Sequence, residues 1–334
     1  MNTPLSGLKV LFLCPSFFNY NLRIKEEFEK LGAKVVFMQD RPFNSAIGKA
    51  VAKYSTFACL PFADYIYSKQ LSDFPPQYFD LIFVINGQTL SENFLKKMKI
   101  KYSTAYFLLY LWDSEKNRPR FSKILKYFDE CFSFERSMSE KYNIKFRPLF
   151  YIDSYKKLDS NDEVKFDLSF VGTAHTDRFE IIRNIRNKLT SHSSFFYLFL
   201  HSQLTFYVYK ILYKTMRRAK KTDFSYEPIN SDEIKKIYSN SLAILDIENP
   251  DQEGLTMRTF EVLGARKKLI TTNIDILTYD FFLKENIMVI DRTNPVIDQS
   301  FFDIPYKEVD DNIMHKYSLS GWLFEILREY KKKE

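Results

Sequence analysis

The chain has 334 residues, 45% of them hydrophobic and 27% charged, with a formal net charge of +7 and no low-complexity tract. This composition excludes disordered and fibrous classes, and the length suggests two domains, each able to bury its own core. The three cysteines, Cys14, Cys59 and Cys131, are odd in number and widely spaced. That excludes a disulfide framework or a close-spaced zinc site and predicts buried thiols in a reducing, cytoplasmic setting.

The opening "MNTPLSGLKVLFLCPSFFNYN" lacks a basic leader, a long apolar core and a small-residue cleavage site, so secretion is not expected. Its apolar run "KVLFLC" is strand-sized, and helix "NLRIKEEFEKLG" and strand "KVVFMQD" follow. Strand "FDLIFVING", helix "SENFLKKMK", strand "TAYFLLYLWD", helix "FSKILKYF" and strand "ECFSFE" continue the alternation. Continuous apolar strands separated by helices imply a parallel sheet covered on both faces.

Residues 153–165, "DSYKKLDSNDEVK", are polar and aperiodic and read as a linker between an N-terminal domain, 1–152, and a C-terminal one, 166–309. The second series runs strand "FDLSFVG", helix "DRFEIIRNIRNKL", strand "SFFYLFL", a basic aromatic helix, helix "SDEIKKIYS", strand "LAILDIE", helix "LTMRTFEVLG", and strands "KKLITTN" and "IMVID". Residues 310–334 read as one last helix, expected to pack back on the N-terminal domain, with a solvated "KKKE" end. The fold class is therefore α/β: two Rossmann-like domains facing a cleft, with ligands at the carboxyl ends of the strands.

The segment "EGLTMRTFEVLGARKKLITTN", 253–273, carries the first candidate site. Glu253 and Glu261 are about two helical turns apart and can face one side. A carboxylate near a strand end suits ribose hydroxyls, and a helix start suits a diphosphate. Gly254 permits close backbone approach, and Gly264 reads as a helix C-cap. In "VGTAHTDR", a glycine directly after a strand and an arginine at a helix start have the geometry of a phosphate loop, although no Walker or G-x-G-x-x-G pattern occurs.

Glu253, Gly254, Glu261 and Gly264 resemble the E-x7-E element of GT-B glycosyltransferases. The wording of 254–273 is similar to a group of bacterial capsule and lipopolysaccharide glycosyltransferases, as are "FDLSFVGTAHTDR" (166–178) and "YLWDSEKNRP" (110–119). In that group the position of Glu253 is often not acidic, so Glu261 carries more of the resemblance. It implies that Glu261 contacts the donor ribose, that Gly172 and Thr173 begin a loop under the diphosphate, and that Arg178 and Arg258 neutralise the phosphates. Cations and helix N-termini can stabilise such a leaving group without a metal.

Alternatives stand beside these roles. Glu261 and Arg258 could be a solvated i−3 pair. His175 could cap its loop or touch the diphosphate or sugar. Asp113, after an apolar strand, sits where a general base for an acceptor hydroxyl would act, or else it N-caps the turn "DSEKNRP". "LDIEN", with Asp246 and Glu248, is the nearest approach to a D-x-D motif, and clustered His and Cys ligands are missing, so a metal-independent enzyme without cofactor is expected.

Much of the excess positive charge lies between Lys210 and Lys221. Residues 194–221 never reach the ~18 consecutive apolar residues of a span. The segment 204–221 reads as an amphipathic basic aromatic helix, suited to an anionic membrane surface or simply to a core with a solvated basic end. No nucleic-acid motif accompanies it. Enzymes of the resembling group act on lipid-linked glycans at the inner membrane face, which favours peripheral membrane contact there. The expectation is transfer of a sugar from a nucleotide-sugar, UDP preferred on prevalence, to a capsule or O-antigen acceptor. A non-catalytic nucleotide-sugar binder and a sugar-phosphate or polyol-phosphate transferase are the rivals.

Overall fold

The computed structural model describes residues 4–41, 56–117, 120–156, 158 and 163–331. The chain divides into two compact units, Met1–Pro148 with Leu323–Glu334, and Leu149–Trp322. Among the described residues each unit is built on one parallel sheet, of six strands in the first and five in the second.

The first unit contains β1 (Lys9–Cys14), β2 (Lys34–Gln39), β3 (Leu81–Ile85), β4 (Tyr106–Leu111), β5 (Glu130–Ser133) and β6 (Lys145–Phe146). Their order is β2-β1-β3-β4-β5-β6, so the winding reverses between β1 and β3. Every residue of β3 and β4 is buried, as continuous apolar runs in a doubly covered sheet require. On one face Phe12 stacks on Phe83 at 5.3 Å between ring centres. On the other, Leu11, Val84 and Leu109 meet Tyr67, Phe94 and Met98 from the covering helices. The thiols of Cys14, Cys59 and Cys131 are free and buried.

The second unit contains β7 (Phe166–Thr173), β8 (Ser194–Phe199), β9 (Ser241–Asp246), β10 (Lys268–Thr271) and β11 (Ile287–Val289), ordered β11-β10-β9-β7-β8. Here the reversal falls between β7 and β9, which opens a crevice beyond their carboxyl ends. Leu168, Phe170, Ala243, Leu245 and Ile270 from the sheet pack with Ile182 and Ile185 of the helix Arg178–Lys188.

Three expectations about elements change. The segment 310–334 is not one helix: Asp311–Lys316, Leu319–Ile326 and Arg328–Lys331 are separate. Tyr317 O accepts the Tyr151 N–H and Tyr151 O accepts the Leu319 N–H, each at 2.9 Å, which draws the backbone between the first two helices out of the helical ladder. The basic aromatic helix ends at Leu212 rather than 221, because Met216 and Ala219 turn inward to the core, both 2% exposed. The start of the expected linker is a short helix, Asp153–Lys156, with Tyr155 buried. Residues 157 and 159–162 of that linker, and Arg118 and Pro119, lie outside the described residues. The helix Thr56–Gln70 escaped the sequence reading, since Pro61 inside it signals a break.

Gly264 has a packing role rather than the capping one. The C-cap of the helix Met257–Gly264 is Ala265, and the left-handed residue is Arg266 at φ 52°. A Cβ on Gly264 would lie 2.6 Å from the Tyr151 ring. Gly264→Ala should therefore cost about 2 kcal/mol of overpacking, read as a lower urea midpoint at unchanged slope. An unaltered midpoint would mean that the ring moves aside freely.

Candidate functional site

The carboxyl ends of β7 and β9 gather most of the residues singled out in the sequence. Gly172 and Thr173 are still strand, in register with Leu198 and Phe199 of β8. The loop thus begins at Ala174, not at Gly172. Gly172 is required by packing, since a Cβ there would stand 2.9 Å from the Phe170 ring and 3.1 Å from Nη2 of Arg258. The loop turns at Thr176, φ 57°, and feeds the helix Arg178–Lys188, whose N-cap Asp177 makes no side-chain capping bond.

Beyond β9, buried Asp246 organises the next helix. Its Oδ2 accepts the hydroxyls of Thr256 at 2.6 Å and Thr259 at 2.8 Å, and its Oδ1 pairs with Nη1 of Arg258 at 3.0 Å. Thr256 also caps the helix by accepting the Thr259 N–H. Arg258 donates further to the Tyr238 hydroxyl at 3.2 Å and to Val171 O, so three of its five N–H donors are committed to protein. Asp246, the first carboxylate of "LDIEN", is thereby spent on structure.

Its neighbour Glu248 is equally engaged, by a residue the sequence did not suggest. Arg292 holds Asp177 through two bonds, at 2.7 and 2.8 Å, and Glu248 through its side chain at 2.6 Å and its carbonyl at 3.0 Å. With Thr272 at 3.4 Å this uses all five donors of Arg292. The clamp fixes the loop after β7 against the one after β9. Only distance in sequence hid it, since 115 residues separate Arg292 from Asp177.

Arg178 differs from the other two arginines. It is 8% exposed and donates to Ile247 O at 2.7 Å and Thr173 O at 3.1 Å, bridging the two strand ends through carbonyls. Among the described residues no carboxylate lies within ion-pair distance of it. Burial, then the nearby Arg258 charge, pulls its guanidinium down to about 9. Its direct hydrogen bonds are to carbonyls, while Asp246 and Glu248 act on it from beyond ion-pair distance, and a buried cation held in this way attracts an anion.

His175 lies half-buried in the same loop, its Nδ1 3.3 Å from the Thr176 hydroxyl. Burial, then Arg178 and Arg258, lower its pKa to about 4, so it is neutral at pH 7 and offers one N–H.

Glu261 is half-buried on the helix Met257–Gly264, where the Tyr155 hydroxyl bonds to its carboxylate. It is therefore not the fully solvated helix residue of the alternative reading. Glu253 is exposed in the preceding loop, its carbonyl accepting from Asn273 Nδ2 at 2.9 Å, and Gly254 is buried with its carbonyl bonded by Gln252 at 2.8 Å.

Asp113 belongs to the first unit, just past β4. Its Oδ2 accepts Nδ2 of Asn86 at 2.8 Å, and Asn86 in turn accepts the Trp112 N–H at 3.1 Å. Asn86 is 1% exposed and left-handed at φ 64° at the end of β3. A buried amide thus orients a half-exposed carboxylate at a strand end. Among the described residues no group of three or more His, Cys, Asp or Glu is placed to hold a metal ion.

The histidine yields a pH test. Its folded value near 4 lies below the unfolded value of about 6.5, so the unfolded chain binds the extra proton between them. Stability should be full above about pH 6.5 and fall as the pH drops through 4, by on the order of 3 kcal/mol from this group. His175→Gln should flatten that part of the stability profile relative to the parent chain; parallel profiles would show that the ring is not held neutral.

No protein-family model matches the chain, and no curated protein is significantly similar to it in sequence. Solved structures are similar in fold. A glycosyltransferase from Rickettsia africae shares 11% identity at a TM-score of 0.59, covering 98% of each chain. The Anabaena protein HepE, solved with UDP and glucose, shares 10% at 0.59 over 97% of this chain and 99% of its own. A UDP-GlcNAc 2-epimerase from Neisseria meningitidis, bound to UDP-GlcNAc, shares 13% at 0.50 over 98% and 100%. With its two parallel sheets and their reversal points, the chain has the fold of the GT-B glycosyltransferases.

Proposed function

We propose that the protein is a glycosyltransferase moving a sugar from a nucleoside diphosphate sugar to a lipid-linked glycan of a bacterial surface polysaccharide. The observation that carries the reading is Arg178, a buried guanidinium bonded to two carbonyls, with no carboxylate among the described residues within ion-pair distance, at the β7–β9 reversal of a GT-B fold. The leaving group of such a transfer is a nucleoside diphosphate, and its developing charge needs fixed cations and dipoles. Arg178 and the helix start beside it supply these. Arg258 keeps two donors for the same anion.

Neutral His175 gives an N–H to the diphosphate or sugar without adding charge. Glu261, oriented by Tyr155, takes the ribose hydroxyls. Arg292 acts as a positioning residue, since its donors are spent on Asp177 and Glu248. Asp113, oriented by Asn86, accepts the proton of the acceptor hydroxyl. UDP is the first choice of nucleotide, supported by the fold neighbour solved with UDP and glucose. The transfer proceeds without a metal, and the basic aromatic segment from residue 204 meets the membrane that carries the acceptor.

Thermal unfolding against UDP, GDP, CDP, ADP and TDP tests the donor site. One diphosphate at 100 times its Kd should stabilise the chain by about 2.7 kcal/mol, and Glu261→Ala should lose most of that shift. Absence of a shift with all five would remove the reading. Product analysis then separates the rivals: nucleoside monophosphate release indicates sugar-phosphate transfer, and binding without turnover a regulatory protein. Asp113→Asn should cut kcat by 10²-fold or more with little change in donor KM. Near-normal turnover would take Asp113 out of the mechanism.

A further inference from the structure

The helix Gln203–Leu212 turns its apolar residues the wrong way for a water-facing helix. Phe206 points inward, 3% exposed and 5.7 Å from the Phe224 ring. On the opposite side Leu204, Tyr207, Val208, Ile211 and Leu212 are 73, 49, 42, 79 and 66% exposed. Their spacing, i, i+3, i+4, i+7 and i+8, makes one continuous stripe about 12 Å long. The helix's single charge, Lys210, is turned aside to Ala219 O at 3.1 Å, which leaves the stripe uninterrupted. Contiguous exposed apolar rows of this kind mark contact surfaces.

Directly after the helix the chain folds over a cavity of about 200 Å³ between the helix Arg178–Lys188 and β8. Arg183, Arg186, Arg218 and Lys220 line it over an apolar floor, with Asp223 as its carboxylate. Asp223 is already engaged, accepting the Lys220 backbone N–H at 2.7 Å. Among the described residues none of the four cations has an ion-pair partner, and the buried Nε of Arg183 has no hydrogen-bond partner. Lys221 lies 4.8 Å from the Tyr207 ring centre and joins the basic turn to the stripe. The cavity shares no charged residue with the cluster of Arg178, Arg258 and Arg292.

We propose that this face docks on an anionic lipid bilayer, with the stripe immersed at the headgroup–acyl boundary and the cavity holding the phosphate of one lipid headgroup. The chemistry is complementary at both points: an apolar row that water disfavours, and beside it a roomy pocket with four cations against one engaged carboxylate. The proposal deepens the membrane contact suggested above by assigning it a headgroup site, and it is independent of the chemistry at Arg178.

Vesicle flotation of the full chain tests it, with pure phosphatidylcholine compared with the same lipid containing phosphatidylglycerol. Binding should require the anionic lipid and fall with salt, and Ile211→Asp should abolish it. Removing two cavity charges, in Arg183→Gln with Arg218→Gln, should weaken binding well beyond the ~25-fold of two surface charges. The charge-matched pair Lys214→Gln with Arg217→Gln should show only that lesser loss. Equal losses in the two pairs would overturn the headgroup site, and equal binding to neutral vesicles would overturn the charge argument. A thermal shift with millimolar inorganic phosphate but no vesicle binding would reassign the cavity to a soluble phosphate. Self-association lost in Ile211→Asp, again without vesicle binding, would make the stripe a contact between copies. Nucleotide-induced stabilisation, measured on the same variants, should persist, so failure here is distinct from failure of the donor site.

Discussion

At the carboxyl end of β9 a single carboxylate, Asp246, accepts two threonine hydroxyls and an arginine while 1% exposed. Thr256 and Thr259 belong to the start of the helix Met257–Gly264, and Arg258 reaches across to Val171 O on β7 and to Tyr238 on the helix Ser231–Ser239. One buried charge therefore sets the phase of the helix that bears Glu261 and its distance from β7. Glycine at position 172 fits the same constraint, because a Cβ there would crowd the Phe170 ring at 2.9 Å and the Arg258 guanidinium at 3.1 Å. Breaking such a pair leaves a buried charge uncompensated, at about 3–5 kcal/mol. Asp246 and Arg258 thus depend on each other, and Gly172 leaves room for the guanidinium beside β7.

Charge accounting separates the three arginines of this face. Arg258 is paired with Asp246, and Arg292 with Asp177 and Glu248, so each serves the architecture first. Arg178 rests on two carbonyls and, among the described residues, has no such partner within ion-pair distance. Burial, then the Arg178 and Arg258 charges, hold His175 neutral. Together these make a face whose arginines and carboxylates match in number, with one buried guanidinium, that of Arg178, held by carbonyls.

The first unit solves a similar problem with a carboxylate held by uncharged donors. Buried Asp40, after β2, accepts the backbone N–H groups of Gln88 and Thr89 and the Thr89 hydroxyl, and so pins the loop after β3. Asn86, left-handed in that turn, then aims Asp113. From Leu323 the chain belongs to this unit again, where buried Arg147 meets Glu325 at 2.9 Å. Since the fold neighbours include an epimerase as well as glycosyltransferases, the choice of reaction lies in side chains of this kind and not in the two sheets.

The sequence by itself determined the strands. "KVLFLC" is β1 residue for residue, and the doubly buried runs of β3, β4, β7 and β9 were legible because an apolar stretch bounded by turn residues has few other fates. It also picked out Glu261, Arg178, His175 and Asp113, each near a strand end or on the helix that follows one. What each of these touches was decided only by the tertiary structure. Within the second unit Arg292 meets Asp177 and Tyr155 meets Glu261, within the first Asn86 meets Asp113, and no local periodicity encodes a partner 115 residues away. Folding also turned two glycines from loop and cap residues into packing residues, and split the last helix by pairing its backbone with Tyr151. Local pattern fixes which segments are buried, because burial depends on the residues themselves; which buried group meets which depends on how separate segments pack, and that exists only in the folded chain.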